Sequence, residues 1–367
     1  MSSKRLNLAL IFGGRSGEHE VSVMSARSVL QAIDTDKYQV WQIGITREGH
    51  WLTGENTLQA FENKSCESLK QVVLMQIDEK TVLHQLVDGN LQKISAIDVF
   101  FPILHGTYGE DGTIQGYFEM LDVAYVGAGL LSSSVGMDKG ICKDLVANLG
   151  VPVLEYKIFN RQKIETDLEA TALEAEKIAP YPLFVKPANL GSSVGISKAK
   201  NRQELIKGLE IAAKYDRRVL VERGINAREI EVSVLGNTDP IVSTPGEIIP
   251  GDEFYSYDDK YIDGIARTFV PADLSGTMTQ RVQEIALQVY QGIDCAGMAR
   301  VDFLIDKHSE EIFFSEINTI PGFTPISMFP KLLAHGGITY PELIDHLIAL
   351  ALERKADRDK TIRSIQA

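Results

Sequence analysis

Cysteine is scarce in this chain of 367 residues: Cys66, Cys142 and Cys295 are too few and too far apart for a disulfide framework or a zinc site. They read as reduced, mostly buried thiols. Long apolar runs are missing as well. The longest, Val99 to Leu104 and Leu347 to Leu352, fall far short of the ~20 residues that a membrane crossing needs. Leu6 to Phe12 is too short for a secretory signal core and ends in Gly13-Gly14 rather than a cleavage site, so a cytoplasmic location is expected. Basic charge is in deficit, with 37 Lys and Arg against 50 Asp and Glu and a net charge of −13. Long polyanions such as DNA or RNA therefore find no electrostatic footprint, although a local basic pocket can still hold a small anion. No internal repeat, low-complexity tract or charged tail is present. With 44% apolar and 24% charged residues the composition is that of a globular protein. At roughly 150 residues per domain its length suits two or three domains.

The first 130 or so residues alternate strand and helix. Leu6 to Phe12 and Gln39 to Ile45 read as strands around a helix from Glu20 to Ile33, whose apolar positions Val21, Met24, Val29, Leu30 and Ile33 fall on one face. Val82 to Val87 and Leu91 to Ile97 flank a hairpin signal at Asp88-Gly89-Asn90. Ile97 to Leu104 is a buried-type strand that breaks at His105-Gly106-Thr107-Tyr108-Gly109-Glu110-Asp111-Gly112, before a helix from Thr113 to Leu121. This repetition predicts an α/β unit with a Rossmann-like parallel sheet and ligand loops at the strand ends. Beyond Gly129 the pattern turns α+β. It begins with a helix over Leu130 to Leu149 and continues with strands Tyr181 to Pro187, Val194 to Ala199 and Arg218 to Arg223 around a helix capped by Asn201. A hairpin Glu229 to Leu235 and Ile241 to Thr244, a helix near Met278 to Gln291, a hairpin Met298 to Ile305 and Ile312 to Asn318, and two closing helices near Ser327 to Ala334 and Tyr340 to Glu353 complete the chain.

The strongest chemical signal is Ala299-Arg300-Val301-Asp302 paired with Ser315-Glu316-Ile317-Asn318. Alternate strand residues share a face, so Arg300 and Asp302 lie together, as do Glu316 and Asn318. The midpoint between Asp302 and Glu316 falls at Ser309 in a polar turn, so a simple hairpin brings them opposite each other. Two carboxylates and an amide carbonyl are hard ligands suited to Mg²⁺ shared with nucleotide phosphates. The plainer reading is a solvated hairpin face balanced by Arg300. The apolar residues between the ligands favour the metal.

Lys186, the one charge between Tyr181 and Ile196, precedes Gly191-Ser192-Ser193-Val194-Gly195. Backbone N–H groups of such a loop can meet phosphate oxygens, and a lone lysine in an apolar setting needs an anion. No Gly-Lys-Ser/Thr follows, so this is not a Walker A loop. Glu222 and Glu229 could bind an exocyclic amine and ribose hydroxyls, but on spacing alone an ordinary charged strand and turn is the better account. The segment Gly251 to Asp263 holds three tyrosines, a phenylalanine and five acids around Lys260, without helical or strand periodicity. Its rings need something to cover, which suits a lid. Glu20 opens a helix, where a negative charge is favoured by the dipole whatever its role. No nucleophile motif accompanies His19 or His105, so a Ser-His-Asp centre has no support.

In combination these motifs resemble the ATP-grasp carboxylate-amine ligases and, among them, the bacterial D-alanine:D-alanine ligases. The resemblance is carried by Phe12-Gly13-Gly14 with His19-Glu20-Val21-Ser22, by His105 to Gly112, and by Met137-Asp138-Lys139. Val185-Lys186-Pro187, Gly191 to Gly195, Tyr257-Asp258-Asp259-Lys260-Tyr261, Ala299 to Asp302 and Glu316 to Thr324 continue it in family order. It implies three domains, an N-terminal Rossmann-like substrate domain over 1–128 and two ATP-grasp subdomains over 129–222 and 223–367, with ATP clasped between the latter two. Lys139 and Lys186 would meet ATP phosphates, Glu222 with the backbone near Arg223 and Ile225 the adenine, Glu229 the ribose, and Lys260 the γ-phosphate. Asp302, Glu316 and Asn318 would hold Mg²⁺, with Mn²⁺ able to substitute. Glu20 would hold the ammonium of the first D-alanine, linked through Ser192 and Tyr261. Arg300 and the Gly322 amide would meet the oxyanion, Ser327 the second substrate's carboxylate and His105 the first's.

The implied reaction converts the D-alanine carboxylate to an acyl phosphate with ATP, then joins a second D-alanine, as cell-wall precursor synthesis requires. Phosphoryl transfer needs positioning and charge stabilisation, which lysines and a divalent cation supply, and a closed lid protects the acyl phosphate from water. D-Alanine and ATP are the expected partners, with no nucleic acid or membrane, and a homodimer is usual for similar proteins. Rival readings are a D-alanine:D-lactate or other D-amino-acid ligase of the same fold, a regulatory protein that holds ATP without chemistry, and a kinase. Tyr261 favours the dipeptide. The presence of Arg300 and the metal ligands disfavours the regulator, and the unprotected product disfavours the kinase.

Overall fold

A computed structural model describes residues 5–249, 251 and 267–362. The segment predicted as a lid, with Lys260 and Tyr261, lies outside these described residues. Three sheets organise the rest.

The first sheet has eight strands. Tyr38–Ile45, Leu6–Gly13, Val99–Pro102 and Ala124–Tyr125 are parallel neighbours in that order. Leu8, Leu10 and Phe12 face a core shared with the helices His19–Ala32 and Tyr340–Arg358, while Ala9 and Ile11 face Ile114 and Phe118 of the helix Thr113–Met120. This is the two-sided burial that a parallel sheet demands. The predicted parallel sheet is half of what forms, because Trp51–Thr53, Lys70–Ile77, Lys80–Val87 and Asn90–Ala96 extend it antiparallel. Thr46 to His50 is a tight turn, and a connection that short can only send the chain back antiparallel. The C-terminal helix Tyr340–Arg358 returns to cover the first sheet, with Leu343, Ile344 and Leu347 in its core.

The single helix expected over Leu130 to Leu149 is two, Leu130–Met137 and Lys139–Asn148. Asp138 interrupts them in an extended conformation, and its Oδ1 accepts the N–H of Gly140 (3.1 Å) and of Ile141 (3.0 Å). An aspartate that caps a new helix satisfies orphan N–H groups which a continuous helix would not expose.

The second sheet, antiparallel, runs Ser197–Ala199, Leu183–Pro187, Arg218–Arg223, Tyr156–Asn160. The helix Arg202–Tyr215 packs on it, capped as predicted by Asn201, whose Oδ1 accepts from Glu204 N at 3.0 Å. The third sheet, also antiparallel, runs Arg267–Phe269, Gly246–Ile249, Ala227–Gly236, Gly297–Asp306, Ile312–Asn318. It is backed by the helix Gly276–Gly292 through Val282, Ile285 and Val289. Gly224 joins the second and third sheets, its N–H on Pro182 O at 2.8 Å. A Cβ there would lie 2.8 Å from the same oxygen, so only glycine lets the strands pass this closely.

Candidate active site

Asp302 and Glu316 are direct cross-strand partners, and Arg300 pairs with Asn318 two positions along. The hairpin geometry thus places all four on one face, as period-two alternation requires. Asp302 takes a bidentate grip from Arg300, Nε to Oδ1 and Nη2 to Oδ2, both at 2.7 Å. Asn318 Nδ2 adds a third bond to Asp302 Oδ2 at 2.9 Å, which turns its own Oδ1 away from Asp302. On the neighbouring strand Glu231 pairs with Asp302 and lies 3.1 Å from Arg300 Nε. Burial alone would discharge Arg300, but Asp302 and Glu231 beside it hold its charge well above the usual guanidinium range. Among the described residues no three His, Cys, Asp or Glu side chains gather as a metal cluster. Two carboxylates and an amide are residue types whose hard oxygen donors suit Mg²⁺, although here Asn318 presents Nδ2 rather than its oxygen to Asp302.

Lys139 opens its helix directly after the Asp138 cap, and its Nζ donates to Leu190 O at 2.8 Å and lies 3.4 Å from Glu316 Oε2. It therefore joins the glycine-serine loop to the acidic hairpin. Lys186 bonds Glu222, and Lys143 reaches the other oxygen of the same carboxylate at 3.1 Å. Burial favours the neutral acid at Glu222, yet the two lysines outweigh it and pull the carboxyl down to about 2. That side chain is already occupied by two ammonium groups. The Arg223 side chain turns aside to Glu155 (2.9 Å) and stacks over Phe313 at 5.6 Å.

These groups surround a cleft of about 580 Å³ between the second and third sheets. Lys186, Glu222, Glu229, Arg300, Asp302 and Glu316 all line it, with Phe184 and Ile196 as apolar walls. It combines lysines, acids and an apolar slot, the features that a purine nucleotide triphosphate needs.

Glu20 does not make the expected link to Ser192. It sits on the outward side of the first helical turn, 46% exposed, and pairs with Arg47. Ser192 bonds Glu18 instead. Glu18 is 8% exposed and precedes the helix, whereas Glu20 is two residues further on, roughly 200° around the axis. The Glu18 carboxylate also fills the space beside two glycines, lying 2.4 Å from where a Cβ would stand on Gly106 and 2.7 Å on Gly191.

His105 is buried, its Nδ1 2.9 Å from Ile320 O and its Nε2 3.1 Å from Ser25 Oγ. Burial lowers its pKa, so the imidazole is neutral. It stands where Leu6–Gly13 and Val99–Pro102 diverge to opposite sides of the sheet, the crevice in which open α/β sheets bind ligands. Ser327 caps the turn after Gly322: its Oγ accepts from Thr324 N at 3.2 Å and meets Thr324 Oγ1 at 2.9 Å, and a Cβ on Gly322 would come within 3.1 Å of it.

Lys143, Glu231, Glu110 and Glu18 were not singled out from sequence. Lys143 lies mid-helix and Glu231 mid-strand, with no motif to mark them. Glu18 had a usable signal, a carboxylate in the loop between a strand's glycine pair and the next helix.

The sequence family described as the D-ala D-ala ligase N-terminus matches residues 7–128, and that described as the D-ala D-ala ligase C-terminus matches residues 145–349. The chain is 48% identical to the D-alanine–D-alanine ligase of Chloroherpeton thalassium over 98% of its own length and 99% of the relative's. It is 46% identical to that of Natranaerobius thermophilus over 97% and 98%. Among solved structures it superposes on a D-Ala:D-Ser ligase from Enterococcus faecalis with a TM-score of 0.83, at 36% identity, covering 95% of this chain and all of that one. The D-alanine–D-alanine ligase of Coxiella burnetii gives a TM-score of 0.84 at 34% identity, over 98% and 97%. The cleft, the acidic hairpin and full-length similarity agree: the chain belongs to the D-alanine–D-alanine ligase family, on an ATP-grasp fold.

Proposed function

We propose that the cleft between the second and third sheets binds ATP and that the crevice at Glu18 and His105 binds the first D-alanine, so that the chain makes D-alanyl-D-alanine for peptidoglycan synthesis. One observation carries the reading. The Asp302–Glu316 hairpin and Lys186 line one cleft, Lys139 backs Glu316 at 3.4 Å, and the glycine-serine loop touches Glu18 in the N-terminal unit.

Asp302, Glu316 and Asn318 would hold Mg²⁺, with Mn²⁺ as a substitute, and when bound it supplies neutralisation of the phosphate charge. Lys139 and Lys186 add fixed positive charge beside the phosphates, and Glu229 takes the ribose. Glu18, rather than Glu20, holds the ammonium of the first D-alanine, with Ser192 orienting its carboxylate. The D-alanine carboxylate attacks the γ-phosphorus, ADP leaves, and an acyl phosphate forms. The second D-alanine, as its free amine, then attacks the carbonyl carbon. Arg300 Nε and Nη2 are committed to Asp302, so Nη1 and the Gly322 N–H are the donors offered to the oxyanion before phosphate departs. Ser327 positions the second carboxylate. Lys260 and Tyr261 would close over the intermediate and exclude water.

A homodimer fits one further surface. Val73, Met75, Ile77, Leu86 and Leu91 share one face of the arm Lys70–Ala96 and are exposed, and a second copy would cover them. Among the described residues no helix is long and apolar enough to cross a membrane. We place the reaction in the cytoplasm, where ATP is met.

The test is purified chain with ATP, Mg²⁺ and D-alanine, with products identified by mass. One ADP and one phosphate per D-alanyl-D-alanine are expected, and none with L-alanine. Dipeptide absent while D-alanine plus D-lactate or D-serine yields product would transfer the activity to another acceptor. No phosphate release with any D-substrate would overturn the reading.

A further inference from the structure

Glu110 has no role in the reaction as derived so far, yet it is a part-buried carboxyl at the junction of the substrate crevice and the oxyanion turn. Its Oε1 accepts the N–H of Gly106 at 2.8 Å, within the N-terminal loop His105 to Gly112. Its Oε2 accepts the N–H of Ile320 at 3.4 Å, 210 residues away in the turn that follows the acidic hairpin. The carbonyl of the same Ile320 meets His105 Nδ1 at 2.9 Å. Both backbone polar groups of Ile320 are therefore held by one loop of the N-terminal unit.

Ile320 stands between Asn318 and Gly322, and Gly106 adjoins His105 and touches Glu18. A displacement at either end of the Glu110 carboxyl therefore changes the distance between the first-substrate groups and the oxyanion donors. We propose that Glu110 is a positioning residue that locks the loop carrying His105 to the turn carrying Gly322, setting the register between the first D-alanine and the groups that receive the oxyanion. This rests on the ligase reading and adds a residue to it. Glu110 touches no substrate in this account and acts through Gly106 and Ile320.

Burial and the nearby carboxylate of Glu18 push Glu110 up to about 8, against the two N–H donors and Arg300, which favour the anion. Neutral His105 lies beside it. Both oxygens of Glu110 accept backbone N–H groups, so glutamine keeps one acceptor but turns an amide NH₂ toward the other donor.

The experiment compares Glu110→Ala, Glu110→Gln and the parent for dipeptide formation and for binding of a non-hydrolysable ATP analogue. Glu110→Ala should bind the analogue within about twofold of the parent while kcat falls and the KM for the first D-alanine rises, together by roughly 10²-fold in kcat/KM, the scale of a misplacement of about 1 Å. Glu110→Gln keeps one of the two acceptors and should lie between Glu110→Ala and the parent in kcat/KM for D-alanine. Unchanged D-alanine kinetics in folded Glu110→Ala would overturn the proposal. Equal loss of ATP binding and D-alanine kinetics would also overturn it, since that marks general destabilisation. Should Glu110→Ala not fold, a folded Glu110→Gln with the parent's D-alanine kinetics overturns it too. Failure of the ligase reading is seen separately, as a parent protein that makes no dipeptide.

Discussion

Ser192 donates its hydroxyl to Glu18 across 174 positions of chain, joining the glycine-serine loop of the second sheet to the strand-to-helix loop of the first. The contact joins the proposed nucleotide side of the cleft to the proposed amino-acid side. The backbone of Ser192, with φ 48°, and of Ser193, with φ 59°, is left-handed, so the loop holds two non-glycine residues in a sparsely populated conformation at this contact.

This contact separates two neighbouring glutamates. Glu18→Gln should lower kcat/KM for D-alanine by roughly 10- to 150-fold, the range of a lost charged hydrogen bond, whereas Glu20→Gln should stay within about twofold because its partner Arg47 is exposed. Steady-state kinetics on both variants check this, and equal effects would refute the exchange of roles.

Glu316→Gln should leave the fold intact, since Glu316 lies at the cleft surface, 3.4 Å from Lys139. It should abolish ATP turnover and weaken Mg²⁺-dependent nucleotide binding, measured by calorimetry with and without a chelator. Binding that is equally tight with Mg²⁺ in the variant and the parent would remove Glu316 from the metal set.

Glu222 has a folded-state pKa of about 2, below its ordinary 4.5. A depressed acid pKa contributes stability that is complete above the unfolded value and is lost as pH falls from 4.5 toward 2. Glu222→Gln leaves Lys143 and Lys186 buried without their shared anion, at a cost of about 3–5 kcal/mol at pH 7. Denaturant titrations should show the gap between variant and parent narrowing across that acidic window. A gap that is constant with pH would count against the charge pairing.

Asp138→Ala removes the cap that starts the helix at Lys139, together with an ion pair to Arg218. A loss of about 1–2 kcal/mol is expected from the cap alone, with a raised KM for ATP as Lys139 loses its fixed origin. Asp138→Asn should retain the cap and most of the stability. Thermal melts together with ATP kinetics distinguish the two variants.

Legibility differed by element for physical reasons. The Asp302–Glu316 pairing could be read because hairpin register follows from counting residues back from the turn, and the structure bears it out. The break at Asp138 was hidden because the apolar pattern continues across it, and only the cap reveals a second helix. The strand Lys70–Ile77 went unseen because it carries Val72 and Leu74 on one face and Val73 and Met75 on the other, so no alternation marks it. Lys143 looked like an ordinary helical lysine; its role arises from Glu222 on the second sheet, 79 positions further along the chain.

The linear order of glycine loops, lysines and acids was enough to mark the resemblance to the D-alanine–D-alanine ligases, and the reaction class came with that resemblance, since each motif is local and short. Only the folded chain could decide which glutamate meets Ser192, which lysines clamp Glu222 and which carboxyl spans Gly106 and Ile320. Those choices depend on the rotation of a helix's first turn and on contacts between residues up to 210 positions apart, and neither quantity is written in local periodicity.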